Sequence, residues 1–357
     1  MTIAVVYSDG IREYDFGPGH PFRGDRYATF IRLLHERLTD DDFELVEPRY
    51  ANDDELLLVH DQLYIDFLEG ASKGVWLPSY RFLSPDTPLQ PGIARAARLI
   101  AGTSLTATEI VWEGKFSRAV SVGGGMHHAR KSFGAGFCIY NDVAISVRNL
   151  IEKYNLERVL ILDTDAHAGD GTCELFYQDP RVLFIDLHQD PRTLYPGTGF
   201  AHDIGAGEGK GFTVNVPLPP GASDAAYEYV MDQIFQPLAE EFQPQMIIRN
   251  GGSDPHFADE LTNLGLTLEG FRMLGAKVAQ VADELCQGRA VDLVGSGYNQ
   301  RVLPYGWLAL MSGLAGLDIE LREPFLFSLK KDYQLDETKR VVEQVRQNLK
   351  DYWRCFR

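Results

Sequence analysis

The feature that most restricts the fold of this chain is a set of short runs that are apolar almost without interruption. Val159-Leu-Ile-Leu162 and Val182-Leu-Phe-Ile185 are the clearest. A strand with one wet face alternates polar and apolar residues. A strand covered on both faces does not, and such strands belong to parallel sheets. Similar runs occur at Ile3–Tyr7, Ala119–Gly123, Gln245–Asn250 and Val291–Val294, and Phe212–Leu218 alternates as a strand. Segments with helical apolar spacing lie between them: Asp25–Leu38, His60–Leu68, Ile93–Trp112, Asn141–Lys153, Asp224–Phe242 and Thr267–Leu285. Ser79–Gly92 reads as a proline-rich loop. Strand and helix alternate without a low-complexity linker or an internal repeat. The expectation is a single α/β domain over residues 1–357, with a central, mainly parallel β-sheet flanked by helices. Residues 339–353 are expected to form a charged helix on the outside.

In an open α/β sheet, ligands sit at the carboxyl ends of the strands. Here those ends carry the chemistry. Val159–Leu162 runs into Asp163-Thr-Asp165-Ala-His167-Ala-Gly169-Asp170-Gly171. Residues two apart in an extended segment point the same way, so Asp163, Asp165 and His167 can project together. Carboxylate and imidazole are suitable ligands for a divalent metal, zinc first, with iron(II) or cobalt also fitting. A third ligand would come from Asp254, His256 or Asp259, beyond another strand. Ala119–Gly123 ends in glycines followed by His127-His128, a pair that can serve as general base and acid. Asp163 and Asp170 are the natural partners for the far nitrogens of that pair. Gly295-Ser-Gly297 precedes Tyr298, whose hydroxyl could donate to an oxyanion. Each feature alone has a plainer reading: a capped turn, surface loop histidines, a core tyrosine. Their recurrence at four strand ends outweighs those readings.

Composition narrows the partners. The net charge is −17 and the pI near 4.9, which argues against nucleic acid and suits a cationic substrate. The four cysteines are scattered without a Cys-x-x-Cys, so a disulfide framework or a cysteine-rich zinc site is not expected. The segment Met1–Tyr7 reads as a strand rather than a leader, and no apolar run is long enough to span a bilayer. The expected compartment is the cytoplasm.

Several motifs, in order, resemble the histone deacetylase superfamily, with its arginase–deacetylase fold, and most nearly the bacterial acetoin-utilisation proteins and deacetylase-like amidohydrolases. They are His20-Pro21 with Arg26, the run His60–Leu68, Gly124-Gly-Met-His-His-Ala129, Gly136-Phe-Cys-Ile-Tyr-Asn-Asp142, Asp163 through Gly171, Tyr195-Pro-Gly-Thr-Gly199, Asn215-Val-Pro217, Asp254 through Thr267, and Gly297-Tyr298.

The resemblance implies a zinc-dependent hydrolase that removes an acetyl or other acyl group from an amine, such as acetyl-lysine or an acetylated polyamine. An arginase-like hydrolase or a non-catalytic binding member on the same fold is the alternative. Asp165 and His167 match zinc ligands. For the third, Leu264-Gly-Leu-Thr267 sets a register that places Asp259 at the ligand position and Asp254 at a supporting one. His127, paired to Asp163, matches the electrostatic or acid partner, and His128, paired to Asp170, the general base. Tyr298 matches the tyrosine that clamps the scissile carbonyl. Gly136, Phe137 and Tyr195 match the walls of an acyl-lysine tunnel. Asp86 matches a rim aspartate that holds substrate, and Arg26 an arginine lining an internal acetate-release cavity. A structural potassium ion near the Asp163 carbonyl is also implied. Ala168 stands where the family usually has His or Gln, Asp186 where a Ser commonly helps hold the potassium, and Ser296 interrupts a glycine run.

Overall fold

The computed structural model describes residues 2–73, 82–325 and 334–357. The first residues of the expected loop Ser79–Gly92, as far as position 81, fall outside the described residues. Among the described residues there are ten strands: β1 Ile3–Val6, β2 Phe43–Val46, β3 Phe82–Ser84, β4 Thr87–Pro88, β5 Arg118–Val122, β6 Val159–Asp163, β7 Val182–Gln189, β8 Thr213–Leu218, β9 Met246–Asn250 and β10 Ala290–Val294. Eight form one sheet in the order β2-β1-β5-β10-β9-β6-β7-β8, and β3 and β4 pair as a small hairpin. Every pairing in the large sheet is parallel. The uninterrupted apolar runs have their cause here, because β1, β5, β6, β7, β9 and β10 are buried along their whole length.

The order of strands sets where a ligand can bind. The chain runs outward from β6 to β7 and β8, then returns so that β9 and β10 fill the gap between β6 and β5. The four central strands therefore come from three distant parts of the chain, and their carboxyl ends meet at the reversal of strand order.

Several elements escape the sequence reading, among them the β3–β4 hairpin inside the expected loop and the short helix Asp53–Leu57; two others show why. Strand β2, Phe-Glu-Leu-Val, lies at the sheet edge with Glu44 and Leu45 exposed, so it lacks the apolar signature of the others. Helix Leu303–Ala315 is apolar on all sides because it is enclosed, its Trp307 fully buried against Tyr27 and Phe30. An enclosed helix has no amphipathic period to read. The expected helix Asp224–Phe242 is interrupted by a π turn at Met231–Phe235, just before Pro237. The outer helix runs Leu335–Leu349, about one turn before the expected 339–353. Its Thr338, Val342, Val345 and Leu349 form one buried stripe, and the Trp353 indole beyond it donates to Gly211 O at 2.7 Å.

Candidate active site

The end of β6 builds the first half of the site. Asp163 is its last residue, and its Oδ1 accepts from the Asp165 amide at 3.1 Å. Asp165 Oδ1 in turn accepts from the His167 amide at 2.8 Å and lies 3.1 Å from His167 Nδ1. These are local Asx-type turns, which fold the segment so that both side chains face one space. Gly251, after β9, presses against this turn. Its φ is +126°, and a Cβ there would sit 2.7 Å from the Asp165 nitrogen, so only glycine fits.

Beyond β9, the short Gly251-Gly-Ser253 link delivers Asp254 directly to His167: Asp254 Oδ2 lies 3.1 Å from His167 Nδ1. Ligand atoms of Asp165, His167 and Asp254 lie within 4.8 Å of one another, placed to hold a metal. The structure thus brings Asp254, not the expected Asp259, beside Asp165 and His167. Asp259 faces elsewhere, its Oδ2 accepting from the Tyr298 amide at 2.8 Å and its Oδ1 from Leu261 N at 3.0 Å. Counting back from Leu264–Thr267 leads to Asp259, but the chain folds back there. Leu266 bridges His256 and donates to Pro255 O, so the loop between them carries Asp259 to the Tyr298 backbone and not to His167. His256, the other candidate, turns from the crevice to Glu323.

The donor chemistry fits a divalent cation. Asp165 and Asp254 are both buried, with the single imidazole of His167 bonded to both. Burial, then the neighbouring Asp165, pushes the Asp254 carboxyl up. Burial alone would lower His167, but its bonds to the two carboxylates raise it to about 10. Two carboxylates sharing one protonatable group are what a metal would satisfy.

The histidine pair follows β5. Asp142, at the start of helix Asp142–Tyr154, accepts from the amides of Gly125 and Met126 and so shapes the glycine loop. His127 Nδ1 lies 2.8 Å from Asp163 Oδ2, His128 Nδ1 2.7 Å from Asp170 Oδ1, and the two Nε2 atoms 3.1 Å apart. A carboxylate only accepts, so both Nδ1 atoms carry protons. One Nε2 must then donate and the other accept. Burial lowers both rings, but Asp163 and Asp165 outweigh it for His127 and raise it to about 10. His128 stays lowered, by burial first and then by the charge of His127. These opposite directions make His127 the donor and His128 the acceptor of the bond between them. Asp170 is held at about 2: burial would raise it, but His128 and Arg130 outweigh that. The Arg130 guanidinium donates to Asp170 Oδ2 at 2.8 Å, a contact not legible in the sequence.

Tyr298 completes the crevice. Its ring lies edge-on to His167 at 6.4 Å and to Phe137 at 5.8 Å. Burial, then Asp254 and Asp165, raise its hydroxyl well above the usual range, so it remains a donor. Arg26 braces the glycine link between β10 and Tyr298, donating to Gly295 O and Gly297 O at 2.9 and 3.1 Å, and also donates to Pro21 O at 3.0 Å. Arg26 and Tyr298 also line a cavity of about 130 Å³ whose walls include the exposed Pro21 and Asp25. On the open side, the Tyr195 ring meets His128 edge-on at 5.1 Å. Gly136 lies so close to His128 that a Cβ would be 2.3 Å from its ring. Asp86 Oδ1 accepts from Gly136 N at 3.2 Å, tying the rim to that wall. Ala168 lines a separate cavity of about 270 Å³, whose other walls include Asp170 and Asp186. Asp186, in register beside Asp163, has its oxygens bonded to His188 and to the Gly169 amide.

A Histone deacetylase domain pattern matches residues 20–314. The chain belongs to the histone deacetylase family. It is 38% identical to a probable deacetylase of Archaeoglobus fulgidus, over 100% of both chains. It is 35% identical to the acetoin utilization protein AcuC of Bacillus subtilis, over 88% of this chain and 82% of that protein. Among solved structures, the HD domain of HDA15 superposes with a TM-score of 0.87 at 27% identity, covering 100% of this chain and 98% of that one. As in that deacetylase-family structure, a single α/β domain surrounds a parallel sheet. Family membership supports an enzyme that hydrolyses an acylated substrate. Among the described residues, no helix is long and apolar enough to cross a membrane.

Proposed function

We propose that this chain is a zinc-dependent deacylase that hydrolyses the amide of an N-acylated amine, acetyl-lysine or an acetylated polyamine being the substrate class. The observation that carries the reading is the convergence of the Asp165–His167–Asp254 donor set with a histidine pair in which each Nδ1 is bonded to its own carboxylate and the two Nε2 atoms lie 3.1 Å apart. When bound there, zinc, or iron(II) or cobalt in its place, supplies Lewis-acid polarisation of the acyl carbonyl and lowers the pKa of water.

The remaining steps belong to the chain's own groups. His128 Nε2 bears the lone pair and accepts the proton of the attacking water. Asp170 keeps the ring in that tautomer through Nδ1. His127, cationic in the same space, balances the negative charge that develops on the acyl group. The Tyr298 hydroxyl donates to the carbonyl oxygen as it becomes an oxyanion. His128 then returns its proton to the leaving nitrogen, the C–N bond breaks, and a carboxylic acid and a free amine result. Gly136, Phe137 and Tyr195 would form the walls along which a linear alkylamine enters. The net charge of −17 favours cationic substrates.

The test is a hydrolysis panel of acetyl-lysine peptides, acetylpolyamines and small acetylated amines, with zinc content measured alongside. Amine release that stops on chelation and returns with zinc is the expected result. A zinc-loaded protein that releases amine from no member of the panel overturns the reading.

A further inference from the structure

We infer that Asn250 is a positioning residue for His127, acting through Asp163; the inference rests on the function proposed above. Asp163 and Asn250 are register partners on the adjacent parallel strands β6 and β9, so their side chains stand side by side on one face. Asn250 Nδ2 lies 2.9 Å from Asp163 Oδ2, the same oxygen that His127 Nδ1 meets at 2.8 Å. The two donor nitrogens are 3.3 Å apart, converging on one acceptor. A carboxylate cannot donate, so the amide nitrogen, not its oxygen, must face Asp163.

The other side of Asp163 explains why such a donor is needed. Asp186 on β7 is its register partner there, which sets two buried carboxylates side by side. Like charges in adjacent register repel. A donor on the β9 side draws Asp163 Oδ2 away from Asp186 and toward His127. The Asp165 amide fixes Oδ1, so Asn250 and His127 together fix the plane of the carboxylate.

Folding alone does not account for the amide. Asn250 is fully buried, and its Oδ1 has no hydrogen-bond partner among the described residues. That oxygen points at Gly125, where a Cβ would come within 2.4 Å of it. A buried unpaired carbonyl is a cost that an isosteric leucine would not carry. The donor to Asp163 is what the residue supplies in exchange, and the glycine at 125 makes room for its oxygen.

The test uses the full chain carrying Asn250→Leu, Asp163→Asn, and both. With zinc bound and an acetyl-lysine peptide as substrate, Asn250→Leu should lower kcat by about tenfold, the low end for partners that orient a histidine from outside. KM and zinc content should not change. In the Asp163→Asn background the same substitution should change kcat less than about twofold, because its target is gone. A second readout needs no turnover. In metal-free, 15N-histidine-labelled protein, the proton resonance of the His127–Asp163 hydrogen bond should shift or broaden in Asn250→Leu. If Asn250→Leu fails to accumulate folded, Asn250→Ala carries the same comparison without added bulk. An unchanged resonance, a kcat within twofold of wild type, or full additivity with Asp163→Asn overturns the inference. A wild-type protein that hydrolyses nothing defeats the functional reading instead, and the resonance still decides about Asn250.

Discussion

His60 gives the most direct quantitative test of the scaffold behind the histidine pair. It is buried, with Nδ1 3.2 Å from Lys131 O and Nε2 3.0 Å from the Asn141 amide. The carbonyl can only accept and the amide can only donate, so the ring is neutral with its proton on Nδ1. Asn141 passes the constraint on: its Nδ2 donates to Ala129 O at 2.9 Å and to His127 O at 3.3 Å. Burial lowers His60 to about 4, against about 6.5 in an unfolded chain. The unfolded state therefore takes up a proton between those two values and the folded state does not. Stability contributed at His60 is intact above pH 6.5 and falls as pH drops toward 4. The full loss is about 3 kcal/mol, at roughly 1.4 kcal/mol per unit. His60→Gln keeps an acceptor for Asn141 and has no charge to gain. Urea unfolding of both proteins from pH 7.5 to 4.5 isolates the difference. At neutral pH the variant should be less stable by about 1 kcal/mol, the worth of an imperfect hydrogen bond. Near pH 5–6 the two curves should cross, since by then the wild type has lost about as much. Parallel curves over the whole range would show that His60 takes up a proton as readily in the folded as in the unfolded chain, and the tautomer argument would fall.

The remaining predictions concern the crevice. Asp254→Ala should lower zinc affinity by on the order of a hundredfold or more, since indirect partners alone cost 10–100-fold. Asp259→Ala should leave bound zinc unchanged and lower kcat through the lost hold on the Tyr298 amide; atomic absorption separates the two, and the reverse pattern would restore Asp259 as ligand. Tyr298→Phe should cut kcat by about 10²–10³-fold, the usual worth of one oxyanion donor, at unchanged zinc content; near-normal turnover removes that role. Arg130→Ala should lower kcat about tenfold by freeing the Asp170 carboxylate, and a change confined to KM would instead place Arg130 among the substrate contacts.

Much of the fold was readable because burial on both faces leaves a plain mark. Val159–Leu162 and Val182–Ile185 could hardly be anything but central parallel strands. The same physics hid β2, whose exposed Glu44 and Leu45 belong to an edge, and helix Leu303–Ala315, which has no wet side to give it a period. In the site, residues whose direction follows from local geometry were legible: Asp165 and His167 alternate on one extended segment. Asp254 was not, because its place was counted across a loop from a downstream landmark instead of from the end of β9. Asn250 and Arg130 were missed for a different reason. Their importance lies in lateral neighbours, Asp163 across a strand pair and Asp170 across a loop, and sequence order carries no record of which strands stand side by side.

That arrangement of strands also governs when during synthesis the site can exist. Val120 of β5 lies beside Asp292 of β10, and the crevice needs Asp254 from beyond β9 and Tyr298 from beyond β10. A ribosome must deliver most of the chain before the central strands can close on one another, and such long-range parallel pairing is intrinsically slow. Until then Asp165 and His167 have neither their third carboxylate nor their tyrosine. A nascent or prematurely terminated chain is thus inert, and hydrolysis becomes a report that the whole sheet has assembled.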